Sequence, residues 1–383
     1  MHTTSTEVHN PEASDLNSMQ LVSVGELELQ GHAAISLGKR HPTSTGIITI
    51  SLNHDESGHI TAADVQTGYG HRGAEKLFEV RDYRAMIMLA DRHDWLAAFS
   101  GELSLTLTVE KAMRLTPTPR ATLLRTELSE LSRIHSHLSF LSYLADEQTG
   151  RQLWRIVDDI RQTLSLWAGN RVHPMLNRVG GLATDAPEGW TAALSALLDD
   201  VARLAADLRV LLTADRRFRG LAVLDRDLCL GYGLSGPVAR AAGLELDRRA
   251  TGYLAYGEIF RPVEPRAAGD AEARFSVLID EVGTSVDMIR MVHQLLPDGE
   301  VSTRLSRRLK VPEGEHTTDI EAPWGIASCL LVSRGGQAPW RVGLRTPSLA
   351  NLSALGTALI GVRNENIADV VASLGYTIGD ADK

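Results

Sequence analysis

Apolar and polar positions divide the chain into stretches of different period. Residues 21–29 read Leu-Val-Ser-Val-Gly-Glu-Leu-Glu-Leu and alternate in part, while 46–52 is the β-branched run Gly-Ile-Ile-Thr-Ile-Ser-Leu. Asp55-Glu-Ser-Gly58 is a turn signal ahead of a further strand at Ile60, so 20–66 is expected to form a small sheet. The loop 38–46, GKRHPTSTG, joins the two early strands. From about Glu75 to Leu212 apolar residues recur at steps of three and four, through Met86, Leu89, Leu123, Leu124, Leu128, Leu131, Ile134, Leu138 and Leu141. Pro117 and Pro119 separate two of these helices, and Gly169 and Gly180-Gly181 break later ones. Residues 194–212 and 271–296 read as further long amphipathic helices. Toward the C-terminus, 327–333 and 339–345 predict a hairpin around Arg334-Gly-Gly-Gln, followed by short helices over 349–360 and 367–374.

This pattern predicts an α+β protein, a central helix bundle flanked by small β-sheets, with no internal repeat. The expected divisions are a mobile tail 1–18, an N-terminal β-region 19–70, a helical bundle 71–310 and a mixed α/β region 311–383.

Charge and cysteine content narrow the function classes. With 39 basic against 48 acidic residues the net charge is −9, which argues against a nucleic-acid partner while leaving room for a local basic patch. Cys229 and Cys329 are the only cysteines and form no CxxC pair, so neither a structural zinc, a cysteine-ligated cluster nor a disulfide framework is expected, and a reducing cytoplasmic setting fits. The N-terminus lacks a basic start followed by an apolar run, so no secretory signal is expected. No apolar stretch reaches the roughly 18 residues of an ordinary membrane span, so membrane attachment is expected through partners.

Several short constellations could carry chemistry. His41-Pro42 lies in the early loop beside Lys39 and Arg40, suiting either an anion or redox partner or a plain solvated histidine. Gly70-His71-Arg72-Gly73 holds an arginine at the start of a helix, where it meets an anionic partner or simply begins a charged helix. Residues 90–95, ADRHDW, form either a hydrogen-bonded site wall or an exposed face with local ion pairs. His135 and His137 point about 200° apart on a helix turning ~100° per residue, a poor chelate. His173 precedes Pro174, where a helix is expected to end. Gly231-Tyr-Gly233-Leu-Ser-Gly236 spells GxGxxG without a convincing preceding strand, so no NAD site is expected; GxxxxGK[ST] and GxSxG are absent.

Taken in order, the segments resemble the D-type, 49 kDa subunit of NADH–quinone oxidoreductase, a family similar in turn to the large subunit of nickel–iron hydrogenases. The resemblance is carried by His41-Pro42 with Gly46, HRGAEKL at 71–77, ADRHDW at 90–95, VEK at 109–111 and SELSRIHSH at 129–137. It continues through GNRVH at 169–173, Gly180-Gly181, LSG at 234–236, Gly269-Asp270, IEAPWG at 320–325, LVS at 331–333 and ADVVASLG at 368–375. It implies a nickel–iron hydrogenase large-subunit-like fold and a peripheral subunit on the cytoplasmic side of the cell membrane, in a proton-translocating complex that passes electrons from NADH through FMN and iron–sulfur centres to quinone. It further implies that this chain binds no cofactor itself, that its partners are the B-type subunit holding the terminal cluster, the C-type subunit and quinone, and that the quinone headgroup lies between this chain and the terminal-cluster subunit. Arg72 and His173 match an arginine and a titrating histidine near the partner's cluster. His41, Thr45 and Trp95 match quinone-cleft positions, the family's headgroup histidine and tyrosine falling at Thr45 and Trp95, and the nearby carboxylate at Asp146 or Glu147. Thr does not titrate near neutrality, and an indole N–H donates without titrating, so impaired quinone reduction is expected. The alternative is a divergent paralogue serving as a structural or regulatory subunit without quinone reduction. A hydrogenase centre needs two cysteine pairs, and no such pairs occur.

Overall fold

The structure, a computed structural model, describes residues 19–383; the expected tail 1–18 lies outside the described residues. It is α+β, as the pattern predicts. The first sheet contains β1 (Gln20–Val24), β2 (Ala33–Ile35), β3 (Ile48–His54) and β4 (Ile60–Gln66) in the order β2-β1-β3-β4, with only β1 and β2 parallel. The alternation read through residue 29 stops at Val24. Gly25 turns the chain at φ +139°, and a Cβ there would lie 2.2 Å from the Gly46 carbonyl oxygen.

Helices follow: α1 (Ala74–Glu79), α2 (Tyr83–Ala90), α3 (Ala98–Met113), α4 (Pro119–Leu141) and α5 (Glu147–Ala168). Pro119 opens α4 with Thr118 capping it through an acceptor bond from the Ala121 N–H, as expected of a proline in a first turn. Asp146 caps α5 and Gly169, at φ +70°, ends it. Gly180 and Gly181 fall in a tight pairing of β5 (Asn177–Arg178) with β6 (Gly181–Leu182). Next come α6 (Trp190–Ala214), α7 (Arg226–Gly231), α8 (Gly236–Ala241), α9 (Tyr256–Ile259) and α10 (Ala271–Leu295). A meander of β7 (Gly314–Ala322), β8 (Gly325–Ser333) and β9 (Arg341–Arg345) precedes α11 (Pro347–Leu359), α12 (Ile367–Leu374) and α13 (Ile378–Ala381). The GxGxxG spelling ends α7 and begins α8 with no preceding strand.

The main core joins α4, α5, α6 and α10 through residues such as Leu128, Leu138, Ile156, Leu198, Val282 and Ile289. A second core joins opposite ends of the chain: Val22, Ile48 and Ile50 of the first sheet pack with Leu352 and Leu355 of α11 and Val370 and Leu374 of α12. A third sets Phe78 and Met86 against Leu331 and Val342 of the C-terminal sheet. Among the described residues, no helix is long and apolar enough to cross a membrane.

Candidate functional site

The loop 38–46, the α2–α3 connection and the segment after α5 converge on one region. Residues Pro42–Thr45 form a short 3-10 turn capped by His41, whose Nδ1 accepts the Thr43 N–H at 3.3 Å and lies 2.9 Å from Thr43 Oγ1. His41 is buried, with its ring edge-on to Phe140 at 4.7 Å, and burial pulls its pKa down to about 3, so the imidazole is neutral. The two candidate readings of this histidine, an anion contact or a solvated side chain, both give way to a buried, turn-capping group, while Lys39 and Arg40 remain exposed.

Thr45 donates its hydroxyl proton to the Pro42 carbonyl at 2.8 Å, and Trp95 donates its indole N–H to Thr45 Oγ1 at 3.3 Å. The two positions where the family resemblance changes residue type therefore contact each other. They border an open cleft of about 660 Å³ lined also by Lys39, Arg40, Trp154, Arg155 and Arg161. A smaller cavity of about 40 Å³ shares Trp95, Arg161 and Val172 with it and is otherwise largely apolar.

A chain of polar contacts joins Arg72 to His173. Gly73, at φ +65°, ends the turn that carries Arg72 and starts α1. Arg72 Nη2 donates to the Arg92 carbonyl at 2.8 Å, and Arg92 Nη1 donates to Asp91 Oδ1 at 2.6 Å. On the other side of the carboxylate, Asp91 Oδ2 lies 3.4 Å from His173 Nδ1. Asn170 fixes this histidine's backbone by accepting the Val172 and His173 N–H groups at 2.9 and 3.0 Å. Burial dominates both titrating partners: it pushes the Asp91 carboxyl up and the His173 imidazole down against their mutual attraction. Asp91 and Arg92 enter the sequence reading only as part of ADRHDW, because their position between Arg72 and His173 is a tertiary property.

The structure adds a carboxyl cluster that sequence spacing gave no means of assembling. Asp380, near the end of the chain, places Oδ1 3.7 Å from His93 Nε2, and Gly379 lets the backbones meet: a Cβ there would lie 2.1 Å from the His93 carbonyl oxygen. Burial, and then the facing Asp380, push the Asp94 carboxyl up to about 7. Glu102 is likewise raised to about 7 by burial, although it accepts the Met175 and Asn177 N–H groups at 2.6 and 2.9 Å. Asp382 accepts the Gly68 and Gly70 N–H groups, both at 2.7 Å, and so ties the end of the chain to the turn carrying Arg72.

His135 and His137 diverge, as their spacing predicts. His135 Nε2 accepts from Arg161 Nε at 3.0 Å, whereas His137 Nε2 pairs with Glu281 at 2.9 Å. Among the described residues, no group of three or more His, Cys, Asp or Glu side chains is arranged to hold a metal ion. Asp146 and Glu147 lie at the start of α5, where Asp146 caps the helix and Glu147 pairs with Arg151 at 2.5 Å.

Comparison with known proteins gives a consistent result. The family model described as "Respiratory-chain NADH dehydrogenase, 49 Kd subunit" matches residues 153–307 and 303–383. A Salinispora tropica protein, named as the D 2 subunit of NADH-quinone oxidoreductase, is 40% identical over 382 residues, covering 97% of this chain and 98% of its own length. The D 1 subunit of the same enzyme from Streptomyces coelicolor is 38% identical, covering 94% and 98%. The D-type subunit from Dehalococcoides mccartyi is 32% identical, covering 91% and 98%.

Proposed function

The chain belongs to the 49 kDa subunit family of NADH–quinone oxidoreductase, and from that premise we propose that it forms one wall of the electron-acceptor cleft, against the partner that holds the terminal iron–sulfur cluster. The observation that carries the reading is the succession of contacts from Arg72 to the Arg92 carbonyl, from the Arg92 guanidinium to Asp91, and across 3.4 Å from Asp91 to His173, which runs from an exposed arginine to a half-buried histidine. A cation near a partner's cluster stabilises the added electron, and a histidine with a depressed pKa takes up a proton once negative charge arrives beside it. On this reading NAD, FMN and the clusters are held by other subunits, and the C-type subunit is a further neighbour. The complex attaches this chain peripherally to the cytoplasmic side of the membrane.

The acceptor end is a poorer fit to a neutral quinone. The Thr45 hydroxyl and the Trp95 indole N–H are both used inside the protein, and neither titrates near neutrality. A specific observation thus also favours the second reading, a divergent paralogue that retains the scaffold and the docking face as a structural or regulatory subunit without quinone reduction. The first reading is tested in the purified complex by a redox titration of the partner's terminal cluster between pH 5 and 8. The expected result is a midpoint potential that falls as pH rises, with the dependence lost in His173→Met. An unchanged pH dependence in the variant overturns the assignment of His173.

A further inference from the structure

The cleft beside Thr45 and Trp95 is strongly cationic in an otherwise acidic protein. Five cations, Lys39, Arg40, Arg151, Arg155 and Arg161, line it together with one acid, Asp158, although the whole chain carries −9. Arg151 is paired with Glu147, and Asp158 faces Arg171 at 3.7 Å from outside the cleft lining. Among the described residues, Lys39, Arg40, Arg155 and Arg161 have no carboxylate within ion-pair distance. Arg161 commits only its Nε, to His135, so its terminal nitrogens remain available.

The neutral donors have the opposite status. Ser44 gives its proton to the Lys39 carbonyl at 3.1 Å, Thr45 to Pro42 and Trp95 to Thr45. Apart from the Trp154 indole, the side-chain donors left for a ligand are therefore charged. Like charges held together with Asp158 as the one acid among them repel, and a concave wall concentrates their field on whatever enters. Guanidinium groups match planar oxyanions, and Trp95 and Trp154 supply aromatic surface in the same cleft.

We infer that this cleft binds an aromatic ligand bearing an oxyanion, a carboxylate, sulfonate or phosphate, in place of a neutral quinone headgroup. The inference rests on the reading that this is the acceptor cleft, and it concerns binding alone. The two Trp residues provide the signal. Quenching of tryptophan fluorescence is measured for the full-length chain and for the purified complex with two probes, anthraquinone-2-sulfonate and the neutral anthraquinone-2-methanol. The sulfonate is expected to bind at least ~10-fold more tightly, with an affinity that falls as salt rises. The double variant Arg40→Gln with Arg155→Gln, at two exposed side chains that make no hydrogen bond or ion pair with the described residues, is expected to remove most of that preference and leave the thermal midpoint unchanged.

Equal affinity for the two probes, or undiminished sulfonate preference in the double variant, overturns the inference and leaves the acceptor cleft standing. Sulfonate binding to the chain but not to the complex also overturns it, because an acidic surface elsewhere in the complex would then be the cations' partner. If neither probe binds in either form, both the inference and the acceptor-cleft reading fall.

Discussion

Asp94 shows how a single side chain is set by its surroundings. Its carboxyl is buried opposite Asp380, a second buried carboxyl, and its pKa stands near 7. A carboxyl whose folded pKa lies above its unfolded value stabilises the fold at low pH, and that contribution is lost as pH rises through the folded pKa. Asp94→Asn keeps the shape and removes the ionisation. Urea unfolding of the full chain is expected to show a gain on the order of 4 kcal/mol at pH 8.5, and almost none at pH 3, below the pKa of the unfolded carboxyl. A gain equal at both pH values would count against a buried, protonated Asp94. Thr45 and Trp95 give a second residue-scale prediction. Restoring titrating groups with Thr45→His and Trp95→Tyr is expected to raise NADH-driven quinone reduction by ~10²-fold, the low end of what a positioned acid–base group contributes. The assay uses membranes in which this chain is the sole subunit of its type, and normal turnover in the unmodified chain would show that other residues supply the protons.

Among elements, α4 departs furthest from its sequence pattern. Its apolar repeat places Leu128, Leu131, Ile134 and Leu138 in the core as expected, yet Arg125, Glu127, Glu130 and Arg133 are buried too. Neighbours on every side make this possible. Glu130 accepts from Arg249 at 3.2 Å and from the Tyr256 and Ser285 hydroxyls at 2.5 Å. On α10, Glu281 pairs with His137 at 2.9 Å and with Arg240 at 2.5 Å, and Arg240 reaches Glu321 of β7 at 2.8 Å. Such a network costs desolvation that only complete pairing offsets. Glu281→Ala leaves a buried guanidinium under-paired and is expected to cost roughly 3–5 kcal/mol in denaturant unfolding. A loss below about 1 kcal/mol would show that water or a shifted carboxylate takes its place.

At the scale of the whole molecule, the two ends of the chain are interdependent. Val370 and Leu374 of α12 complete the core under the first sheet, Asp382 binds the Gly68–Gly70 turn, and Gly379 packs on His93. Removing residues 367–383 is therefore expected to expose 48–66 to limited proteolysis as well as to abolish the Asp94–Asp380 pair. Continued protection of 48–66 in the truncated chain would show that the first sheet is stable without α12.

The sequence alone determined the elements whose signals are local. Proline at the first turn of α4, glycine at the end of α5, the three-to-four period of α10 and the hairpin around Arg334 rest on backbone conformation and nearest-neighbour burial. The strand β7, which is polar at many positions, was not legible, because its place is set by pairing with β8 rather than by an apolar alternation. The motif order also pointed to the family that the comparisons show, and the resemblance implies that Thr45 and Trp95 are the changed positions. Only the tertiary structure decided that His41 is buried and neutral, that the donors of Thr45 and Trp95 are spent, and that Asp380 faces Asp94 across 286 residues of chain. Protonation and hydrogen-bond availability depend on what is brought near a group and on how much water is removed, and neither is encoded in its immediate neighbours.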